Sequence, residues 1–300
     1  MFKIYLKLTL TMLFWGGTFV SGRMLAGRVP PLTAAFLRFT LASAVLLVVL
    51  YWKNGGLPPL PRRMVLPVFC LSLTGVFSYN VLFFWGLQTV PASRAAVIIA
   101  NNPVVIAALA GLIFHERLGL IASLGIPVSV AGAVIAISRG DVAALWQGGL
   151  GWGDLMILGC VASWMTFSLI GKAVVAHVRP LTAVSYAAAM GAVLLSVPSV
   201  LSGLFDQVGA YTLFDWGNLA FLGIFGTALG FVWYYEGIER IGAARAGLFI
   251  NLVPLSAIAL SFFLLSEPVT MSLLVGVALV LTGVYFTNRR PVKKCGYHPR

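Results

Sequence analysis

The sequence predicts an all-α integral membrane protein, with ten transmembrane helices built as two inverted five-helix repeats. Three observations carry this expectation. The 300 residues are 60% hydrophobic and 9% charged, with a mean hydropathy of +0.99, far from soluble usage. The chain divides into ten stretches free of Asp, Glu, Lys and Arg. Residues of the first half also recur in the second at a nearly constant offset.

In chain order the ten stretches are 8–22, 39–52, 64–93, 95–115, 118–138, 155–171, 180–205, 216–235, 246–266 and 268–288. A spanning helix needs about 20 apolar residues, which most of them supply. The first two reach that length if Arg23 and Arg38 lie toward helix ends. All are continuously apolar and rich in Ala, Leu and Gly, without the alternation of a membrane strand, so a barrel is excluded. Lys3 and Lys7 ahead of an apolar run resemble a signal peptide, but the repeat makes this helix the counterpart of the sixth and predicts its retention.

The net charge of +12 arises mostly from residues between the stretches. With the N-terminus in the cytoplasm, that side collects fifteen Lys and Arg and the other side four. The positive-inside rule then places both termini in the cytoplasm, and the basic excess reads as topology rather than nucleic-acid binding. Cys70, Cys160 and Cys295 have no disulfide or metal-like spacing, and His115, His177 and His298 are scattered. Neither a metal site nor a cofactor is expected.

RVPPLTA (28–34) matches HVRPLTA (177–183) at an offset of 149, which also pairs Trp15 with Trp164, Gly22 with Gly171 and Arg23 with Lys172. An offset of 151 pairs ASRAA (92–96) with AARAG (243–247), Gly75 with Gly226, Gly86 with Gly237, Pro103 with Pro254 and Glu116 with Glu267. The same offset pairs Gly125 with Gly276 and Gly132 with Gly283. The expected organisation is a first repeat over 1–141, a connecting loop over 142–152, a second repeat over 153–288 and a basic cytoplasmic tail over 289–300. Five helices per repeat is an odd number, so the second repeat enters the membrane from the opposite side. Such inverted repeats are common in secondary transporters, which bind substrate near the midplane where the halves meet.

At this point a family resemblance emerges. The apolar helices that run into FHERLG (114–119) and LSEPVT (265–270), each followed by a glycine-spaced helix, resemble the EamA-type branch of the ten-helix drug/metabolite transporter superfamily. GWGDLMILGCVASW (151–164) is similar to that branch's start of the second repeat, and the likeness covers nearly the whole chain. FWGGTF (14–19) with the arginine of FLRF (36–39) is most similar to bacterial exporters of aromatic and other amino acids, a group that includes paraquat exporters. The resemblance implies an inner-membrane secondary transporter exporting amino acids by alternating access. The alternatives are a multidrug or metabolite exporter of cationic or other small molecules, and a passive channel. No phosphate-binding loop, HExxH or GxSxG motif is present, so no catalytic residues and no enzyme are expected. The expected partners are a small-molecule substrate (amino acids, or else cationic drugs) and membrane lipid.

Candidate substrate-binding residues come from matched positions. Trp15, Thr18 and Phe19 share a helical stripe with Gly22, and the offset carries the stripe to Trp164, Phe167, Ser168 and Gly171. These stripes are either cavity walls or close helix contacts anchored by Trp. Tyr79, Asn80 and Phe83 on the third segment, and Tyr234 on the eighth, add amphipathic groups near mid-span. An amide in hydrocarbon is costly, so Asn80 is expected to face protein or a water-filled cavity. Arg38 either snorkels to the surface or holds a carboxylate. Asn101 and Asn102 precede Pro103, and Asn251 precedes Pro254. Both breaks free backbone carbonyls at membrane depth, either to line a cavity or to be repaired locally. Glu116 and Glu267 are read as structural, and Glu236 as the nearest thing to an intramembrane carboxylate.

Overall fold

The computed structural model describes residues 1–105, 108, 120–141 and 150–287. Glu116, the connecting segment 142–149 and the tail from 288 onward lie outside the described residues. The described residues are mostly helical, joined by short turns and loops, with no strand among them. In order it forms α1 (Phe2–Met24), α2 (Pro31–Asn54), α3 (Arg62–Gly86), α4 (Ala92–Ile99), α5 (Leu120–Ile137) and α6 (Trp152–Val174). There follow α7 (Pro180–Leu201), α8 (Leu213–Ile241), α9 (Ala243–Phe249), α10 (Leu252–Leu265) and α11 (Met271–Thr287). Counting α9 and α10 as one interrupted helix, seven described helices are long and apolar enough to cross a membrane, and α5 and α11 are shorter apolar helices.

Local chemistry sets the helix ends. Pro31 and Pro180 open α2 and α7 at positions where a missing N–H costs nothing. Gly55 closes α2 with φ +68°, a left-handed conformation that glycine adopts without strain. Thr212 and Asp215 cap α8 reciprocally: the Asp215 N–H donates to Thr212 Oγ1 at 3.4 Å, and the Thr212 N–H donates to Asp215 Oδ2 at 2.9 Å.

Two long helices are not uniformly α-helical. α3 contains a π-helical stretch over Ser72–Ser78, and α8 contains another over Phe221–Leu229. Residues 75 and 226, paired by sequence, lie in the two stretches. α4 and α9 also break alike: the N–H of Asn101 reaches back to Ile98 O at 3.2 Å, and that of Asn251 to Leu248 O at 3.3 Å. Each is a tightened turn just ahead of the matched proline.

Glycines bring helices from the two halves together. The Leu8 side chain packs on Gly237, Trp15 on Gly230 and Thr18 on Gly226, so α1 and α8 run in opposite directions. At the matched positions of α6 and α3, Ile157 packs on Gly86, the Trp164 ring meets Tyr79 and Phe167 packs on Gly75. α5 and α11 also cross in opposite directions, Gly125 against Gly283 and Gly132 against Gly276. In lipid no hydrophobic force favours helix association, so this close backbone approach supplies the packing instead.

A Cβ at position 283 would lie 2.5 Å from the Gly125 carbonyl oxygen, whereas one at position 217 would meet nothing within 4 Å. Gly283→Val is expected to destabilise the protein by about 1–3 kcal/mol through overpacking. Gly217→Ala should leave thermal unfolding in detergent unchanged, and an equal loss in both variants would contradict the packing described.

Candidate functional site

The site is built around Arg38, one of the few charges placed inside an apolar helix. Arg38 is 8% exposed, and its guanidinium turns inward to partners on other helices, away from the snorkelling position. Nε donates to Thr227 Oγ1 and Nη1 to Asn80 Oδ1, both at 3.0 Å. The rings of Phe39 and Phe83 lie 5.5 and 6.0 Å from the guanidinium carbon.

Both partners are held by the π-helical stretches. Asn80, 2% exposed, donates its amide to Val76 O at 2.8 Å and Gly75 O at 3.3 Å. Thr227 donates its hydroxyl to Leu222 O at 2.8 Å. These donors go to carbonyls that a regular α-helix would satisfy itself, which leaves the acceptor oxygens of both side chains free for Arg38. One guanidinium thus ties a π-helical stretch of the first half to the matched stretch of the second.

Aromatic rings extend the site. Phe83 meets Phe19 at 5.3 Å and stacks near Tyr79 at 6.0 Å, and Tyr79 meets Trp164 at 5.5 Å. Trp164 in turn contacts Phe167 at 5.1 Å. A second cluster joins Trp15 to Tyr234 at 5.2 Å and to Phe231 at 5.8 Å. Thr18 and Ser168 spend their hydroxyls on their own helices, bonding Trp15 O at 2.6 Å and Trp164 O at 2.8 Å.

The asparagines at the helix breaks separate into different roles. Asn101 bonds back to Val97 O and Ile98 O at 3.3 and 3.4 Å and accepts from Ser129 Oγ at 2.6 Å, so it repairs the break and ties it to α5. Asn102 is buried, and its side-chain oxygen has no partner among the described residues. Asn251 is half-buried within its turn. None of the three bonds to the Arg38 group among the described residues. Thr227 and Phe39 were not singled out by sequence. Thr227 carried a usable signal, since it follows Gly226 in the register of the matched segment.

Ion pairs and caps fasten the ends of the bundle. Arg94 pairs with Asp154 in a buried contact between α4 and α6. Glu267 accepts from the N–H groups of Ala92 and Ser93 at 2.8 and 3.0 Å, capping α4. Arg28 pairs with Asp215 at 2.6 Å, and Arg23 Nη1 donates to Leu87 O and Gln88 O at 2.6 Å. All of these lie at one end of the bundle. At the other end Lys7 pairs with Glu236 at 2.8 Å.

The sequence profile of the EamA-like transporter family matches this chain twice, over residues 2–138 and 151–289. The chain belongs to the EamA-like transporter family. It is a multi-pass membrane protein of transporter type. Similar proteins include the uncharacterized transporter YyaM of Bacillus subtilis (strain 168), 31% identical over 94% of this chain and 92% of that protein. Another is a probable terminal-alkyne amino-acid exporter of Streptantibioticus cattleyicolor, 29% identical over 96% of this chain and 94% of that one. A solved crystal structure aligns with a TM-score of 0.65 at 21% identity, covering 95% of this chain and 96% of the other, a likeness of fold alone.

Removing one member of the buried Arg94–Asp154 pair strands a charge. Asp154→Asn is expected to cost about 3–5 kcal/mol, and the double variant Arg94→Gln/Asp154→Asn less than the sum of the single ones. Thermal melts of the three variants check this, and additive losses would mean that the pair does not act as a unit.

Proposed function

We propose that this protein is an inner-membrane secondary transporter that exports amino acids, aromatic and other neutral ones, by alternating access. The observation that carries the reading is the polar and aromatic centre around Arg38, where residues of both halves meet among otherwise apolar helices. Zwitterions of modest size suit a centre of hydrogen-bonding groups and rings. The name of the Streptantibioticus relative, a probable amino-acid exporter, supports the same cargo class.

In this reading the chain crosses the membrane ten times as two inverted five-helix repeats, with both termini in the cytoplasm. Support comes from the matched contacts of α1 with α8 and of α6 with α3, and from the opposed directions of α5 and α11. The excess of basic residues on the N-terminal side supports the orientation.

Alternating access is supported by a difference between positions that the sequence pairs. At the start of α4, Arg94 is buried and paired, and Val97 is fully buried. At the start of α9 the counterpart Arg245 is exposed, Leu248 is 54% exposed, and a Cβ on Gly247 would meet nothing within 4 Å. Related segments packed at one end and splayed at the other fit a carrier closed to the outside and open to the cytoplasm. Exchanging the two arrangements would open the opposite face.

Purified protein in liposomes should show counterflow of labelled phenylalanine, accelerated by unlabelled phenylalanine on the trans side. Unsaturable flux would indicate a channel, and absence of flux for any amino acid would refute the export reading. In a background with Cys70, Cys160 and Cys295 replaced by alanine, Leu248→Cys should react with a water-soluble maleimide far faster than Val97→Cys. Equal rates would contradict the sidedness.

A further inference from the structure

The balance of charge inside the bundle bears on what the cargo must carry. Four carboxylates near the helix ends are engaged: Asp154 by Arg94, Asp215 by Arg28, Glu236 by Lys7, and Glu267 by the N–H groups that cap α4. Arg38 differs, because the partners given by its hydrogen bonds are a hydroxyl and an amide carbonyl, both neutral. Those bonds occupy Nε and Nη1, and Nη2 has no acceptor among the described residues. Thr227 and Asn80 are themselves pinned to π-helical carbonyls, so the guanidinium is held in a fixed orientation.

A guanidinium stays protonated at any relevant pH. In a medium of low effective dielectric its field is much stronger than in water, attracting an anion and repelling a cation by the same amount. The wall beside it is aromatic: the buried Phe83 ring backs the part-exposed ring of Tyr79, which in turn meets part-exposed Trp164. Ring faces of this kind attract an ammonium, although each contact is weaker than a charge-assisted bond between guanidinium and carboxylate.

We propose that Arg38 selects cargo bearing a carboxylate, which its Nη2 edge receives while the Tyr79 and Trp164 rings take the remainder, and that cations lacking an acid group are excluded. The proposal rests on the export reading and narrows it. A zwitterion fits, with its acid at Arg38 and its ammonium against the rings. A bipyridinium dication meets the same rings but also an unneutralised guanidinium. Asn80 and Thr227 act as positioning residues that aim the guanidinium.

The test uses the full chain in detergent, with thermal stabilisation as the readout and four probes built on aromatic rings: phenylalanine, 3-phenylpropionate, phenethylamine and a bipyridinium dication. In the wild-type protein the two carboxylates should stabilise, and the amine and the dication should not. Arg38→Gln should abolish the stabilisation, and Arg38→Lys should retain part of it. Thr227→Val, which keeps the charge but loses the acceptor for Nε, should weaken phenylalanine binding by about tenfold. The inference is overturned if phenethylamine or the dication protects as well as phenylalanine, if no carboxylate protects, or if folded Arg38→Gln binds as the wild type does. Should Arg38→Gln not fold, the wild-type panel and Thr227→Val still decide. Protection by 3-phenylpropionate without phenylalanine counterflow would refute amino-acid export and leave the role of Arg38 standing. Phenylalanine counterflow with equal protection by phenethylamine would do the reverse.

Discussion

A polar backbone group inside an apolar medium must find its hydrogen bond within the protein, and this constraint organises the centre of the molecule. π-helical turns in α3 and α8 and the breaks ahead of Pro103 and Pro254 disturb the regular ladder within apolar helices. Asn80, Thr227 and Asn101 return donors to the neighbouring carbonyls. Once those donors are committed, the same side chains have only acceptors left to offer. Arg38 takes two of them and Ser129 takes the third. The polar centre is thus a consequence of backbone repair, and the guanidinium is oriented because its acceptors are already fixed.

Packing follows from the same medium. Helices in lipid gain little by hiding apolar surface from one another, so close contact through small residues replaces the hydrophobic effect as the source of cohesion. Gly125, Gly132, Gly276 and Gly283 let α5 and α11 touch backbone to backbone. Gly75 and Gly226, one in each π-helical stretch, receive Phe167 and Thr18 at matched places. Close packing of this kind tolerates few intermediate positions. In the proposed alternating-access cycle, helices would therefore move as units, with the ends of α4 and α9 changing most.

Charges at the helix ends do a different job. Arg94 with Asp154, Arg28 with Asp215, and Glu267 on the start of α4 join separate helices at one end of the bundle, three contacts that link the first half to the second. Lys7 with Glu236 joins α1 to α8 at the other. The contrast between buried Arg94 and exposed Arg245 is informative because sequence places them in one register, so the difference lies in arrangement rather than composition.

The sequence by itself determined the medium, the positions of the apolar stretches and the correspondence between the halves, because hydrophobic runs and repeated Gly, Pro, Trp and Glu positions are local properties of the chain. It also marked Asn80, Arg38 and the paired breaks as sites of tension, since polar groups in apolar runs are costly wherever they fold. The resolution of each tension was decided by tertiary structure. Arg38 meets Asn80 from 42 residues away and Thr227 from 189, and Glu267 caps a helix 175 residues before it. No local pattern chooses between snorkelling and burial for a lone arginine, because the choice depends on whether distant helices bring acceptors within 3 Å of it. Asn101 and Asn102 are neighbours of identical chemistry, yet one mends its helix and binds Ser129 while the other leaves its carbonyl unpartnered among the described residues. Their difference is one of direction on the helix, and only the packed bundle gives each direction a meaning.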